Sequence, residues 1–299
     1  MFPGASGEPT KKWASAHIGM IPSEATRQQG GHSRFGATRI GHLTMPLNQM
    51  DGLRWIDPSG ASLLDLGCNV GELLGEAARL YPHLRLAGVD VNRFAIDTAR
   101  RNLPAADLRH CDGPRLPFAD ESFDNVTCIE VIEHIPSGQR RESMRDVWRV
   151  LKPGGKFILR CPHAGLFQGL DANNLRFRFP RLYRRIVRRG RRDDGYAASS
   201  NGVVWHQHFT RQALLDLLGP EFHLESVRYG GMLLLPLGDL MRWPFYRLQL
   251  YRNPVLRLID KMMAWDIGID YGRASFTILL VMRKAARAEE ASADADSIA

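Results

Sequence analysis

No stretch of this 299-residue chain reaches the roughly 18 consecutive apolar residues that a membrane-spanning helix requires; its most apolar segments, 232–237 and 276–282, are far shorter. Cysteine is scarce: Cys68, Cys111, Cys128 and Cys161 are the four, widely spaced and without a CxxC pair. That spacing argues against a disulfide framework or a zinc site, and the start of the chain shows no secretory signal, so a reducing, cytoplasmic setting is expected. No internal repeat is visible. Acid is absent from one stretch, LRFRFPRLYRRIVRRGRR at 175–192, which holds nine arginines.

What is present describes one sizeable core. Hydrophobic residues make up 44% of the chain, enough for one domain with embellishments. The net charge of +8 suits polyanions or anionic lipid surfaces as neighbours, and much of the excess lies in 175–192.

Residues 1–44, rich in Gly, Ser, His, Gln and Arg without sustained periodicity, read as a disordered leader; Glu8 and Glu24 argue against a transit peptide. The Ala-, Asp- and Glu-rich end, 284–299, reads as a disordered tail. Between them, over 45–283, short apolar runs alternate with helical patterns. Strands are expected at 61–66, 84–90, 108–111, 124–130 and 156–161, and helices at 72–81, 93–102 and 139–151. This alternation predicts an α/β, Rossmann-like, seven-stranded, mostly parallel sheet with helices on both faces and ligands at the carboxyl ends of its strands. After Cys161 the rhythm breaks. Two insertions, about 164–208 and 236–272, flank a helix near 211–218 and a strand near 222–229, and a final strand lies near 275–282. The second insertion reads as irregular.

The sharpest motif is LLDLGCNVGE at 63–72, a strand running through a tight turn into a helix. Gly67 permits the turn, and Gly71 lets a ligand approach free N–H groups at the helix start. The spacing is not the G-x-G-x-x-G of a dinucleotide site, and the Lys-Ser/Thr of a P-loop is missing. The next strand ends in GVD, which puts Asp90 where a ribose diol would cross the first turn.

Together LLDLGCNVGE, GVDVN, CDG, LPFADESFDNVTCIEVIEHI and WRVLKPGGKFIL, in that order, resemble the class I S-adenosylmethionine-dependent methyltransferases, type 11-like, across residues 60–162. The resemblance implies that Asp65 and the turn of Gly67, Cys68, Asn69 and Gly71 hold the methionine portion of the cofactor. It implies ribose contacts from Asp90 with Val91 beside it, an adenine contact from Asp112 with close approach at Gly113, and a methyl-donor wall from Ile129 and Glu130. The chain departs from the pattern at Asn69, where glycine is usual; asparagine tolerates left-handed backbone, so the turn is expected to persist.

EVIEHI at 130–135 raises a second constellation. It resembles the E-x-x-E-H metal pattern of ubiquinone-pathway O-methyltransferases and small-RNA 2′-O-methyltransferases, in which Glu130, Glu133 and His134, with His206 or His208 as the remaining ligand, would surround a divalent ion. The favoured reading is metal-free, with His134, and His208 as a second candidate, acting as a base or positioning the acceptor. The four cysteines fall at strand ends and read as small buried residues that suit crowded positions.

The insertions are expected to build an acceptor cap. Pro180 and Gly190 bracket a helix with Arg181, Arg184, Arg185, Arg188 and Arg189 on one face and Leu182, Tyr183, Ile186 and Val187 on the other, an arrangement suited to an anionic membrane surface over 181–192. Nucleic acid is disfavoured, since no RNA module accompanies the charge. The expected activity is methyl transfer to a small-molecule or lipid- or glycan-linked acceptor, with oxygen as the target, by a cytoplasmic protein peripheral to a membrane. A metal-assisted RNA 2′-O-methyltransferase and a non-catalytic protein on the same fold are the alternatives.

Overall fold

The computed structural model describes residues 51–171, 174, 207–247 and 253–285. The expected leader 1–44, the helix expected at 181–189, His206 and the tail from 286 lie outside the described residues.

Strand β1 (Ser62–Leu66) is almost wholly buried, as a strand covered on both sides must be. Helix α1 (Glu72–Leu80) follows, then β2 (Arg85–Asp90), α2 (Arg93–Asn102), β3 (Asp107–His110), β4 (Phe123–Ile129), α3 (Ser137–Val150) and β5 (Leu151–Pro162). Beyond the first insertion come α4 (Arg211–Leu218), β6 (Phe222–Gly230), α5 (Leu234–Arg247), α6 (Pro254–Ile267) and β7 (Thr277–Lys284). The strands form one seven-stranded sheet in the order β3-β2-β1-β4-β5-β7-β6, parallel from β3 to β5 and antiparallel on both sides of β7. The expected architecture is therefore present.

Side-chain alternation along the strands sorts the core into two layers. Leu64, Val126, Phe157 and Leu159 face Met144 and Val147 of α3 and Leu214 and Leu218 of α4. Leu63, Leu86, Ile158 and Leu279 point to the opposite face, against Leu73, Leu74 and Ala77 of α1 and Ile96 and Ala99 of α2. Helix starts are set locally: Asn92 accepts from the Phe94 and Ala95 amides, and Thr210 from the Ala213 amide.

Three expectations are corrected. Strand β5 begins at Leu151, not 156, because Gly154 takes φ 72° and bends the chain so that Leu151 still pairs with Phe123 before the main register resumes at Lys156. The second insertion is not irregular; it holds α5 and α6, packed through Leu235, Ile259 and Met263. Pro236 sits in the first turn of α5, where its missing N–H costs nothing. Asp266 of α6 accepts from the Met232 and Leu235 amides at 2.9 and 3.0 Å and so supplies the start of α5 from another helix, which no local pattern signals.

Lys284 is the third. Assigned to the tail by composition, it ends β7 with its ammonium buried, donating to the carbonyls of Trp148 and Leu151 at 2.9 and 2.7 Å beside the Trp148 ring. These oxygens lie at the carboxyl end of α3, where helices leave carbonyls unsatisfied. Lys284→Ala is expected to cost about 2 kcal/mol or more by stranding them, read as a lower urea midpoint; an unchanged midpoint would show the contact to be idle.

Candidate functional site

The carboxyl edge of β1 and β2 is held by one carbonyl and one carboxylate. The Gly67 and Cys68 amides both donate to the Val89 carbonyl, at 2.8 and 2.9 Å, which folds the turn over the end of β2. Asp90 accepts from the Asn69 amide through Oδ2 at 2.9 Å and from the Asn92 amide through Oδ1 at 2.8 Å. Gly67, Asn69 and Gly71 take φ values of 77°, 47° and 84°, so Asn69 keeps the left-handed backbone expected of it. A Cβ at Gly67 would stand 2.3 Å from Val131, and one at Gly71 2.8 Å from Leu103, so both glycines are also fixed by packing. Cys68 lies against Gly88, where a Cβ would meet its Sγ at 2.8 Å.

Asp65, Gly67, Cys68, Asn69, Gly71, Asp90 and Val91 are thus brought together at one edge. Val91 is exposed on the rim. Asp112 and Gly113, exposed, follow β3 beside β2, with open space around Gly113. Ile129 and Glu130 end β4 on the other side of β1. The sheet order aligns all these positions along the carboxyl ends of four neighbouring parallel strands.

The electrostatics of this edge are unusual. Asp65 is buried and accepts from the Thr127 hydroxyl at 2.8 Å; burial pushes its carboxyl up to about 7, against the Thr127 bond and with the help of Asp90. Burial likewise pushes Glu72, the first residue of α1, up to about 7. Asp90 is raised by burial, against its bonds from Asn92 and Asn69. Glu72 was legible only as the letter after Gly71; nothing in the pattern tells that its side chain is desolvated. Burial raises the thiols of Cys68, Cys128 and Cys161 as well, so these free cysteines are poor nucleophiles.

Past β4, Glu130 takes φ 57° and its carboxylate lies 3.3 Å from Nε of the buried Arg160. Glu133 and His134 follow in a single 3₁₀ turn; Glu133 is buried, and His134 is 34% exposed with Nε2 3.9 Å from the Glu133 carboxylate. Among the described residues no group of three His, Cys, Asp or Glu side chains is placed to hold a metal ion. Of the proposed ligands, His206 lies outside the described residues.

His208 is placed differently from the sequence reading. Its Nδ1 lies 2.9 Å from the His163 carbonyl and its Nε2 2.9 Å from Asp171 Oδ2, with the side chain 4% exposed against Phe276. Both ring nitrogens therefore serve the base of the first insertion, which leaves neither facing an acceptor molecule in this conformation. Sequence reasoning also missed Arg140, whose guanidinium donates to the Ile135 carbonyl at 2.8 Å and bonds to Gln207, tying the 130–135 segment to the insertion's far end.

Asp65 yields a signed expectation. An unfolded aspartate titrates near about 3.9, whereas the folded one titrates at about 7, so the native state holds the extra proton between those values. The penalty is absent below pH ~4, grows as pH rises through that window and is full above about 7. Asp65→Asn should therefore be more stable than wild type at pH 8, by about 2 to 4 kcal/mol, with the gap closing near pH 4 in urea unfolding; a gap of equal size at both pH values would refute the burial argument.

Comparison with known proteins follows the same boundaries. Residues 64–159 match a family model described as a methyltransferase domain. The ubiquinone/menaquinone biosynthesis C-methyltransferase UbiE of Desulfotalea psychrophila is 31% identical over 104 residues, 34% of this chain and 42% of that protein. The O-methyltransferase cnsE of Penicillium expansum is 28% identical over 114 residues, 36% of this chain and 40% of its own length. The chain thus spans about two fifths of the length of these curated relatives. A solved structure, the Haloferax volcanii complex of the Trm112 methyltransferase activator with a proposed methyltransferase, shares the fold at a TM-score of 0.53 and 14% identity, over 83% of this chain and 93% of that one. Motif order, sheet topology and the matched model agree that residues 64–159 form a methyltransferase domain, similar to the class I S-adenosylmethionine-dependent methyltransferases.

Proposed function

We propose that the protein transfers the methyl group of S-adenosylmethionine to a hydroxyl oxygen of a small-molecule or lipid-linked acceptor. The observation that carries this reading is the turn from Gly67 to Gly71, clamped to Asp90 beside the buried, desolvated Asp65. The residues fit the cofactor. A carboxyl stripped of water is a strong partner for an ammonium or sulfonium cation, and Asp90 spends one bond per oxygen on backbone amides, so lone pairs remain for ribose hydroxyls. The open backbone at Gly113 admits a flat ring.

When bound, the cofactor supplies a methyl already activated on a sulfonium, so alignment accounts for most of what the protein must do. Asp65 and the turn would fix the donor, and Ile129 and Glu130 would border the transfer line, with Arg160 holding the Glu130 carboxylate in place. His134, partly exposed just past β4, is the group we assign to accept a hydroxyl proton. His208 serves the cap. A lipid-soluble acceptor is supported by the relative named for ubiquinone/menaquinone biosynthesis. Relatives named as C- and O-methyltransferases both match, so oxygen rests on His134 alone. No contact among the described residues favours the metal-assisted RNA reading.

Full-length protein incubated with isotopically labelled cofactor and either a lipid extract or RNA tests this directly. Label should enter the organic phase with formation of S-adenosylhomocysteine, and His134→Ala should lower kcat at least tenfold with cofactor affinity unchanged. Label in RNA, or no S-adenosylhomocysteine with any extract, would overturn the assignment.

A further inference from the structure

Helix α6 presents two faces. Leu256, Ile259, Met263 and Asp266 are buried. Val255, Leu258, Met262 and Trp265, at i, i+3, i+7 and i+10, share a second face and are 41% to 64% exposed. Single exposed apolar residues are ordinary on a protein surface, but four large ones in line on one helix are not. Arg257 and Lys261, both exposed, border this stripe on the side away from the core. Of the acids on α6, Asp260 pairs with Arg242 at 3.1 Å and Asp266 is buried. The exposed charge on the helix is therefore basic, and it adjoins an apolar strip that includes a tryptophan, the arrangement of a helix lying in a lipid–water boundary.

Topology roots the insertion that carries this stripe on the same edge of the sheet as the site. Thr277, which begins β7, pairs with Pro162 at the end of β5 and with Gly230 at the end of β6. The connection from β6 to β7, which contains α5 and α6, thus leaves and rejoins the sheet at the carboxyl edge that also carries the Asp65–Asp90 cluster. Met241 of α5 adds exposed apolar surface to the same insertion.

We infer that α6 docks on an anionic phospholipid bilayer, with Val255, Leu258, Met262 and Trp265 entering the headgroup–acyl boundary and Arg257 and Lys261 meeting lipid phosphates. The contact deepens the lipid-linked acceptor reading and takes its purpose from it, since it would hold the carboxyl edge of the sheet close to molecules dissolved in the membrane. Its test reads binding alone, so it can fail while methyl transfer stands, and the reverse.

The experiment is co-sedimentation of the full chain with vesicles of phosphatidylcholine alone and of phosphatidylcholine with phosphatidylglycerol. Wild type should sediment with the anionic vesicles, less so in high salt. The double variant Leu258→Ser, Trp265→Ser should bind at least tenfold more weakly while retaining cofactor affinity and its melting temperature. Quenching of tryptophan fluorescence by lipid with brominated chains, seen in wild type and reduced in Trp265→Phe, reads the same contact without disturbing the fold. Three outcomes would overturn the inference: no sedimentation of wild type; wild-type binding and quenching in the variants, which would leave the arginines of 175–192 as the whole attachment; or a dimer in light scattering that the double variant dissolves, which would make a second copy the occupant of the stripe.

Discussion

The end of β2 is the joint on which the site depends. One carbonyl, that of Val89, takes two amides from the turn after β1, and one carboxylate, that of Asp90, takes an amide from the turn and another from the start of α2. A hydrogen bond to a charged acceptor is worth about 1.5 to 3 kcal/mol, and in the turn that bond falls on Asn69, the left-handed residue there that is not glycine. Asp90 restrains both sides of the crevice, and in the proposed function the same side chain also faces the cofactor.

The remainder of the molecule carries that joint. Strand alternation divides the core into two layers, so α1 and α2 back the crevice from one face while α3 and α4 seal the other. Both insertions leave the sheet at its carboxyl edge. The first is closed at its base by His208 between the His163 carbonyl and Asp171, and by the pairing of Phe209 with residues 162–164. The second is closed by Asp266 at the start of α5. Long connections are thus anchored by buried polar bonds at their feet, which frees the surface above to vary with the acceptor.

Much of this was legible in the sequence because it is local. The turn at 67–71 announces itself through glycines, an asparagine and the strand before it, and α2 runs 93–102 as its periodicity predicts. Illegible features are those set by partners far along the chain. Asp65 and Glu72 look like ordinary acids until burial is known. His208 looks like a candidate base until Asp171, 37 positions earlier, is seen to hold it. Lys284 reads as tail because its carbonyl partners lie more than 130 positions away. In α5, the prolines at 236 and 244 masked a helix whose start is supplied by a residue of α6. The substrate is illegible for another reason: cofactor motifs are shared by proteins named for carbon and for oxygen methylation.

In the proposed function the edge built by Asp65, the 67–71 turn and Asp90 binds S-adenosylmethionine. Titration calorimetry of the cofactor into the full-length protein tests it most directly, with Asp90→Ala as the comparison and circular dichroism to confirm its fold. Saturable binding at one site per chain is expected, weakened at least tenfold in a folded Asp90→Ala. No heat at millimolar cofactor, or equal affinity in the folded variant, would contradict it.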